Sequence, residues 1–205
     1  MAAIARWKLW VLLCMAIVVL LVAVPALGGR LLSQRHVASS RIELNESPGT
    51  VWQTINDFAS DPTWRHEVES EERLADRNGH AVWKEHYRSG SAVVYETIES
   101  CPPRRLVRKI VDQSAFSGIW KFDLLPHDGG TELRLTETSE IYNPVFRFVS
   151  RYVMGHYRTM DNYEKALAVR LGDTPRVEHL AKSSYDAVSS EAAQPCSSAI
   201  ATKAP

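Results

Sequence analysis

The first 35 residues are dominated by one uninterrupted apolar run. Between Lys8 and Arg30 the chain carries no charged side chain, and the run reaches the roughly 20 apolar residues that a helix needs to cross a bilayer. Trp7 and Trp10 lie near one end and cationic residues flank both ends, where such side chains meet lipid headgroups. The pattern predicts one membrane-spanning helix within residues 1–35.

A cleaved secretory signal is the alternative for this segment. Arg6 and Lys8 match the positive start of a signal, and Ala26-Leu27-Gly28 has the small-residue spacing of a cleavage site. The run exceeds the usual ~7–15-residue apolar core of a signal, which favours the anchor. We therefore expect a single-pass N-terminal membrane anchor, with a secreted or periplasmic protein as the alternative. Orientation stays open, because cations flank both ends.

The chain after the anchor alternates between apolar and polar residues. Residues 36–44 alternate as a half-buried strand does, and residues 50–58 place apolar side chains at helical spacing. After Trp64, six further alternating segments are separated by short turns such as Asn78-Gly79 and Asp128-Gly129. Because short turns join antiparallel neighbours, the pattern predicts a mostly antiparallel sheet of about seven strands.

From Asn143-Pro144 the hydrophobic period becomes helical. Apolar residues recur at spacings of three and four up to Leu171, and Gly172 follows. Proline at the start and glycine after the end suit a helix, so we expect one long helix here. The remaining residues are rich in serine, alanine and proline, which predicts disorder. The predicted organisation is an anchor at 1–35, a domain at 36–172 and a disordered tail at 173–205.

Composition and charge narrow the classes of function. The 205 residues suit one ordinary domain with additional segments. Lysine and arginine number 24, as do aspartate and glutamate, so net charge gives no reason to expect a nucleic-acid partner. The sequence has no P-loop, no GxGxxG and no Gly-x-Ser-x-Gly, which leaves kinase, dinucleotide-binding and hydrolase functions without support.

The cysteines and histidines do not have the spacing of a metal site. Cys14, Cys101 and Cys196 form no CxxC pair, and the histidines are scattered. We therefore predict no metal and no cofactor. A disulfide bond between Cys101 and Cys196 stays open, although no disulfide framework is indicated.

Several short motifs carry a family resemblance. They are the segment from Pro48 to Trp52, Asp57 before Trp64, Pro102-Pro103-Arg104, the strand from Gly118 to Phe122, and Gly130-Thr131 leading to Thr136-Glu137. With the order of elements, they resemble the START/SRPBCC superfamily, and within it the polyketide cyclase/dehydrase and coenzyme-Q-binding type. The resemblance covers about residues 36–171. It implies an α+β helix-grip fold, in which a curved sheet surrounds the long C-terminal helix and an elongated apolar cavity lies between them.

Strand alternation directs several side chains toward this expected cavity. The candidate ligand-binding residues are Trp83, Glu85, Tyr87, Arg108, Trp120, Phe122 and Glu137 on strands, with Tyr152 and His156 on the long helix. An arginine at 108 between Glu85 and Glu137 would satisfy both carboxylates and fix the polar end of a ligand. The alternative is that these charges are solvated or form structural ion pairs, and that His156 only packs. No residue is assigned as catalytic.

The leading hypothesis is a membrane-anchored protein that binds a hydrophobic or amphipathic small molecule, such as a lipid, quinone or polyketide. Members of the superfamily range from lipid carriers to cyclases and hydratases, and fold alone does not assign activity. A polyketide cyclase or dehydratase with a carboxylate or histidine in the cavity is therefore one alternative. A non-catalytic interaction module with a filled cavity is another. Cavity volume discriminates between the two ligand-based hypotheses and the interaction module, since ligand sites measure ~300–1,000 Å³ and a filled cavity falls well below that range.

Overall fold

The computed structural model describes residues 2–181 and begins with a long apolar helix. Helix α1 spans Ala2–Leu31. Its segment Trp10–Leu31 has a mean hydropathy of 2.9 and is not buried, so its length and composition suffice to cross a bilayer. A signal sequence near the N-terminus has the same properties. The predicted helix is confirmed, and its two interpretations remain.

Eight strands form one curved antiparallel sheet in the order β2-β3-β4-β5-β6-β7-β1-β8. The strands are β1 Arg35–Leu44, β2 Val68–Arg77, β3 His80–Tyr87, β4 Ala92–Cys101, β5 Arg105–Val111, β6 Phe116–His127, β7 Gly130–Ile141 and β8 Glu178–His179. Strands β2 to β7 pair with their neighbours in sequence, and β1 pairs with β7 along its whole length. The α+β class and the antiparallel sheet are confirmed.

Two short helices follow β1 and close one end of the sheet. Helix α2 spans Pro48–Asn56, a single 3-10 turn covers Phe58–Ser60, and α3 spans Asp61–Trp64. Ser47 caps α2, because its hydroxyl accepts from the backbone N–H of Thr50. Pro48 fits the first helical position, where no N–H is needed.

The predicted long C-terminal helix is interrupted, which corrects that prediction. Helix α4 spans Pro144–Val149, a π-helical turn covers Ser150–Met154, and α5 spans Arg158–Arg170. Gly155 ends the first part with φ 78° and ψ 156°, a conformation outside the helical region that glycine alone adopts readily. The apolar period continues through the break, which is why the sequence pattern did not show it.

The core lies between α5 and the inner face of the sheet. Met160, Tyr163 and Leu167 of α5 are buried against Phe122 and Leu135 of the sheet. The ring of Tyr163 meets Phe122 at 5.5 Å between centroids. Helix α5 alone therefore takes the position expected for the long helix.

The predicted disorder from residue 173 is wrong for the first part of the tail. Strand β8 pairs with Ser40 and Arg41 of β1. The guanidinium of Arg41 donates two hydrogen bonds to Glu178, at 2.9 and 2.8 Å, and the ring of His179 stacks on a tyrosine at 3.8 Å. Long-range contacts with β1 thus order a segment whose composition is polar, while residues 182–205 lie outside the described part of the chain.

Cys101 is disulfide-bonded in the structure. The predicted candidate partner, Cys196, lies outside the described residues. The spacing of the cysteines along the chain gave no indication of this bond.

Helix α1 is joined to the domain through Arg147 of α4. The Arg147 guanidinium is buried and donates to the carbonyl oxygens of Gly29 at 2.9 Å and Leu32 at 3.1 Å. It also donates to the carbonyls of Ile141 and Tyr142, at 2.9–3.0 and 3.3 Å. A cation at the C-terminal end of a helix is favoured by the helix dipole, so Arg147 both caps α1 and holds it on the sheet.

Candidate functional site

An open cleft of about 530 Å³ lies between the inner face of the sheet and the segment from α4 to α5. Its apolar lining comprises Val93, Ile110, Phe116, Ile141, Phe146 and Met154. A narrow recess of about 50 Å³ shares Tyr87, Tyr95 and Trp120 with the cleft and ends at Tyr163. The cleft volume falls within the range of ~300–1,000 Å³ that small-molecule sites occupy.

Arg65 is the central charge of the recess. Its guanidinium donates to both oxygens of Glu85, at 2.9 and 3.1 Å, and to Asp61 at 2.9 Å. All three side chains are buried. Asp61 begins α3 and Arg65 follows its last residue, and this spacing of four residues places the two side chains next to each other. The arrangement fixes a guanidinium and two carboxylates where the apolar cleft ends.

Glu71 of β2 adds a third carboxyl group to this cluster. It lies opposite Glu85 in the β2–β3 register, and both of its carboxyl oxygens are buried without a hydrogen-bond partner. Burial, with the neighbouring charge of Glu85, raises the pKa of Glu71 to about 9, so the group is protonated at neutral pH. Burial also raises the pKa of Asp61 to about 6, although Arg65 opposes that rise.

The three carboxyl groups are close enough to share a cation. Oxygens of Asp61, Glu71 and Glu85 all lie within 4.8 Å of one another. The guanidinium of Arg65 already supplies a positive charge to two of them. Protonation of Glu71 removes one negative charge from the cluster, and Arg65 offsets one of the two that remain on Asp61 and Glu85.

Two tyrosines present their hydroxyl groups to the cleft. The hydroxyl of Tyr87 donates to Glu85 at 2.6 Å and lies 3.4 Å from the hydroxyl of Tyr95. Burial raises the pKa of both phenols, so both stay neutral across the physiological range. They are placed to exchange hydrogen bonds with a carbonyl or hydroxyl oxygen of a bound molecule.

Within the described residues Arg108 forms no ion pair with Glu85 or Glu137, although its strand β5 lies between theirs in the sheet, and this corrects the predicted pairing. It lines the recess, donates to the backbone carbonyl of Ile55 and stacks over the ring of Phe58 at 3.9 Å. Arg65 approaches Glu85 instead, because α3 and the turn before it cover this end of the sheet. Arg108 is held by an aromatic ring and a carbonyl rather than by an ion pair.

Glu137 occupies a separate position along the cleft. It accepts a hydrogen bond from the hydroxyl of Ser139. Burial raises its pKa, while hydrogen bonds from Ser139 and Trp120 oppose that rise. A buried carboxyl group of this kind is a candidate proton donor or acceptor.

The structure places most of the predicted candidates around one cavity and two of them elsewhere. Glu85, Tyr87, Arg108, Trp120 and Phe122 line the recess, and Glu137 and His156 line the cleft. Trp83 instead stacks on the ring of Phe58 at 4.9 Å beyond the recess. Tyr152 is 64 % exposed on the π-turn, where its ring packs on Phe148 and does not line the cleft.

Sequence analysis missed Arg65, Asp61, Glu71 and Tyr95. Tyr95 lies two residues after Val93 and therefore on the same face of β4, so strand alternation in the sequence was sufficient to identify it. Arg65 and Asp61 lie in an irregular stretch without a hydrophobic period. Their proximity to Glu85 depends on tertiary folding, for which the sequence offered no signal.

Comparisons with known proteins agree with this architecture. A model of the family described as "Polyketide cyclase / dehydrase and lipid transport" matches residues 35–168. No curated protein matches the sequence significantly.

Solved structures with the same fold include three bacterial proteins of low sequence identity. A START superfamily protein from Mycobacterium smegmatis is 18% identical with a TM-score of 0.54, covering 67% of this chain and 97% of its own. The Zhui aromatase/cyclase from Streptomyces sp. R1128 is 13% identical with a TM-score of 0.56, covering 67% and 94%. A conserved protein from Geobacillus kaustophilus is 17% identical with a TM-score of 0.57, covering 70% and 100%. At these identities the matches establish the fold.

Proposed function

The chain belongs to the polyketide cyclase / dehydrase and lipid transport family, and from that membership we propose that it is a membrane-anchored protein that binds an apolar or amphipathic small molecule. The cleft of about 530 Å³ carries this proposal. Apolar surface predominates in its lining, and polar side chains such as Glu137 and His156 interrupt that surface, as in sites that hold a mostly hydrophobic ligand through a few polar contacts.

The contact between α1 and the domain supports the membrane part of the proposal. Arg147 binds the last turn of α1, and α4 lies directly against that turn. Phe146 and Met154, which line the cleft, come from the same segment. If α1 spans a bilayer, the cleft opens near the membrane surface, where hydrophobic ligands partition.

The test is extraction of the full chain from membranes in a mild detergent, followed by mass spectrometry of the protein and of co-extracted compounds. We expect an intact N-terminus and one bound hydrophobic molecule. The Val93→Trp variant, which fills the cleft, should lose that molecule. Val94→Trp is the matched control, because the adjacent residue of β4 faces the other side of the sheet. Detection of a chain that begins after Gly28 would show that the N-terminal segment is a cleaved signal and not an anchor. Equal ligand content in Val93→Trp and Val94→Trp would contradict the assignment of the cleft as the ligand site.

A polyketide cyclase or dehydratase is a second candidate, which Glu137 supports. Its carboxyl group lies in the cleft with a raised pKa, as acid–base catalysis requires. The recovered compound should be incubated with the purified protein. A compound unchanged in both mass and chromatographic retention supports a carrier, whereas conversion, by isomerisation or by loss of water, that Glu137→Gln abolishes without loss of binding supports the enzyme.

An interaction module with a filled cavity is the least supported alternative. It requires a cavity well below ~300 Å³, and the cleft exceeds that volume.

A further inference from the structure

A second pocket lies where α1 ends and the sheet begins. It measures about 240 Å³, and its polar lining includes Arg35, His36, Arg147, Arg151 and His156. We call it the cationic pocket. No aspartate or glutamate of residues 2–181 lines it.

The positive charges of the cationic pocket are not neutralised within the described part of the chain. Arg35, Arg147 and Arg151 take part in none of the ion pairs formed by residues 2–181. All donors of Arg147 point to neutral backbone carbonyls. Glu140 lies opposite Arg35 in the β1–β7 register, but it neither pairs with Arg35 nor lines the pocket. A buried guanidinium and two exposed ones thus favour an anion at this place.

Two histidines form the wall of the pocket. The rings of His36 and His156 lie 4.1 Å apart, and Nδ1 of His156 is buried without a hydrogen-bond partner. Burial, together with the charges of His156 and Arg151, lowers the pKa of His36 to about 4. Burial and Arg151 also lower the pKa of His156. Both rings are therefore neutral at neutral pH, and each carries one N–H that can donate to an anion.

The cationic pocket adjoins the cleft. His36, Ile141 and His156 line both. His156 directly follows the break at Gly155 and lines both spaces. These shared residues place the end of the cleft beside Arg35 and Arg151, while Arg147, whose donors all point to backbone carbonyls, contributes only its charge.

We propose that the cationic pocket holds the anionic head of an amphipathic molecule whose apolar part occupies the cleft. The inference rests on the proposed function and narrows its ligand class to amphipathic anions such as phosphate-bearing lipids. Guanidinium groups bind phosphate or carboxylate oxygens in pairs, and Arg35 and Arg151 are exposed enough to close on such a head.

Two lipids that differ only in the phosphate group test this assignment. Full-length protein is reconstituted in phosphatidylcholine nanodiscs that contain either phosphatidic acid or the diacylglycerol with the same acyl chains. Bound lipid is counted by native mass spectrometry after release. We expect the parent to retain phosphatidic acid over diacylglycerol by about tenfold or more, since each charge-assisted contact contributes about that factor. The Arg35→Ala/Arg151→Ala variant should lose the preference.

Two controls separate this inference from the proposed function. Arg104→Ala/Lys109→Ala removes the same charge from exposed residues outside the cationic pocket and should keep the preference. Val93→Trp should lose both lipids. An unchanged preference in Arg35→Ala/Arg151→Ala would overturn the inference while leaving the cleft as a ligand site. Phosphatidic acid that Val93→Trp still retains would place the lipid outside the cleft and overturn it as well. If excess inorganic phosphate occupies the cationic pocket without displacing phosphatidic acid, the pocket binds a free anion and not the lipid head, and the inference is overturned.

Discussion

Arg65 shows how a buried charge in the recess depends on its partners. Its guanidinium is hydrogen-bonded to Glu85 and Asp61, and the exposed fraction of all three side chains is below a tenth. Taking charges out of water is costly, and mutual pairing offsets that cost only while every partner is present. The free energy of unfolding should therefore be more sensitive to Arg65 than to arginines at the surface.

We predict that Arg65→Met destabilises the protein by about 3–5 kcal/mol, because it leaves two buried carboxylates without a counter-ion. Denaturant unfolding of the full chain in detergent micelles, followed by tryptophan fluorescence, measures the change. Arg77→Met is the control, since Arg77 makes a similar two-bond pair with Asp112 at the surface. An exposed pair contributes at most about 1 kcal/mol. Equal losses in the two variants would show that burial does not set the strength of the Arg65 cluster.

Glu164 of α5 is a fully buried carboxyl group in the core. Burial raises its pKa from 4.5 to about 8. The carboxyl group of Glu164 therefore keeps its proton up to a higher pH in the folded state than in the unfolded state. The stabilisation that this protonation difference provides is fully present below about pH 4.5. That contribution is lost as the pH rises toward 8.

We predict that Glu164→Gln removes this dependence, because the amide does not titrate. Between pH 5 and pH 8 the unfolding free energy of the variant minus that of the parent should increase by up to about 1.4 kcal/mol per pH unit. Unfolding of both proteins at matched pH values provides the measurement, and other titrating groups cancel in the difference. Glu69→Gln, an exposed substitution on β2, should leave the slope unchanged. A constant difference across this pH range would show that Glu164 is ionised in the folded protein.

The elements at the C-terminal end of the domain have two different partners. Helix α5 packs on the sheet, whereas α4 packs on α1, and Gly155 separates them. Sequence periodicity describes one helix here, since apolar residues on both sides of the break keep helical spacing. Gly155 permits a change of chain direction, so that α5 packs in the core while α4 packs on the apolar N-terminal helix α1.

The α1–α4 contact requires a glycine at residue 29. A Cβ atom there would overlap the backbone carbonyl of Pro144, which a neighbouring side-chain rotation cannot relieve. We predict that Gly29→Ala separates α1 from α4 and destabilises the protein by about 1–3 kcal/mol, as overpacking does. Thermal unfolding in detergent measures the loss, and faster tryptic cleavage after Arg30 should accompany it.

Gly49→Ala is the matched control for that prediction. The nearest atom to its added Cβ is the Ser47 hydroxyl oxygen at 3.7 Å, an ordinary contact, and alanine is the better helix former. An unchanged melting temperature and cleavage rate in Gly29→Ala would show that the α1–α4 contact contributes nothing to stability.

For the whole molecule, hydrophobic periods were sufficient to predict the class of fold but not the arrangement of its charges. Strand alternation identified Glu85, Tyr87 and Glu137 as inward-facing, because a strand exposes every second residue to one side. The partner of Glu85 could not be predicted, since Arg65 follows a four-residue helix and reaches Glu85 only through tertiary folding. The cationic pocket could not be predicted for the same reason, because tertiary folding brings together residues that lie more than a hundred positions apart, such as Arg35 and Arg147.

The last turn of α1 forms part of the domain through Arg147. Deletion of residues 1–33 removes the carbonyl groups of Gly29 and Leu32, and thereby leaves buried N–H donors of Arg147 without acceptors. We predict a loss of about 1–3 kcal/mol, which lowers the melting temperature by several degrees. Deletion of residues 1–28 keeps both carbonyl groups and should retain most of the stability. Both proteins are compared with the full chain in the same detergent by thermal unfolding. If the two deletions melt together, water replaces these acceptors, and α1 is a tether that contributes nothing to the stability of the domain.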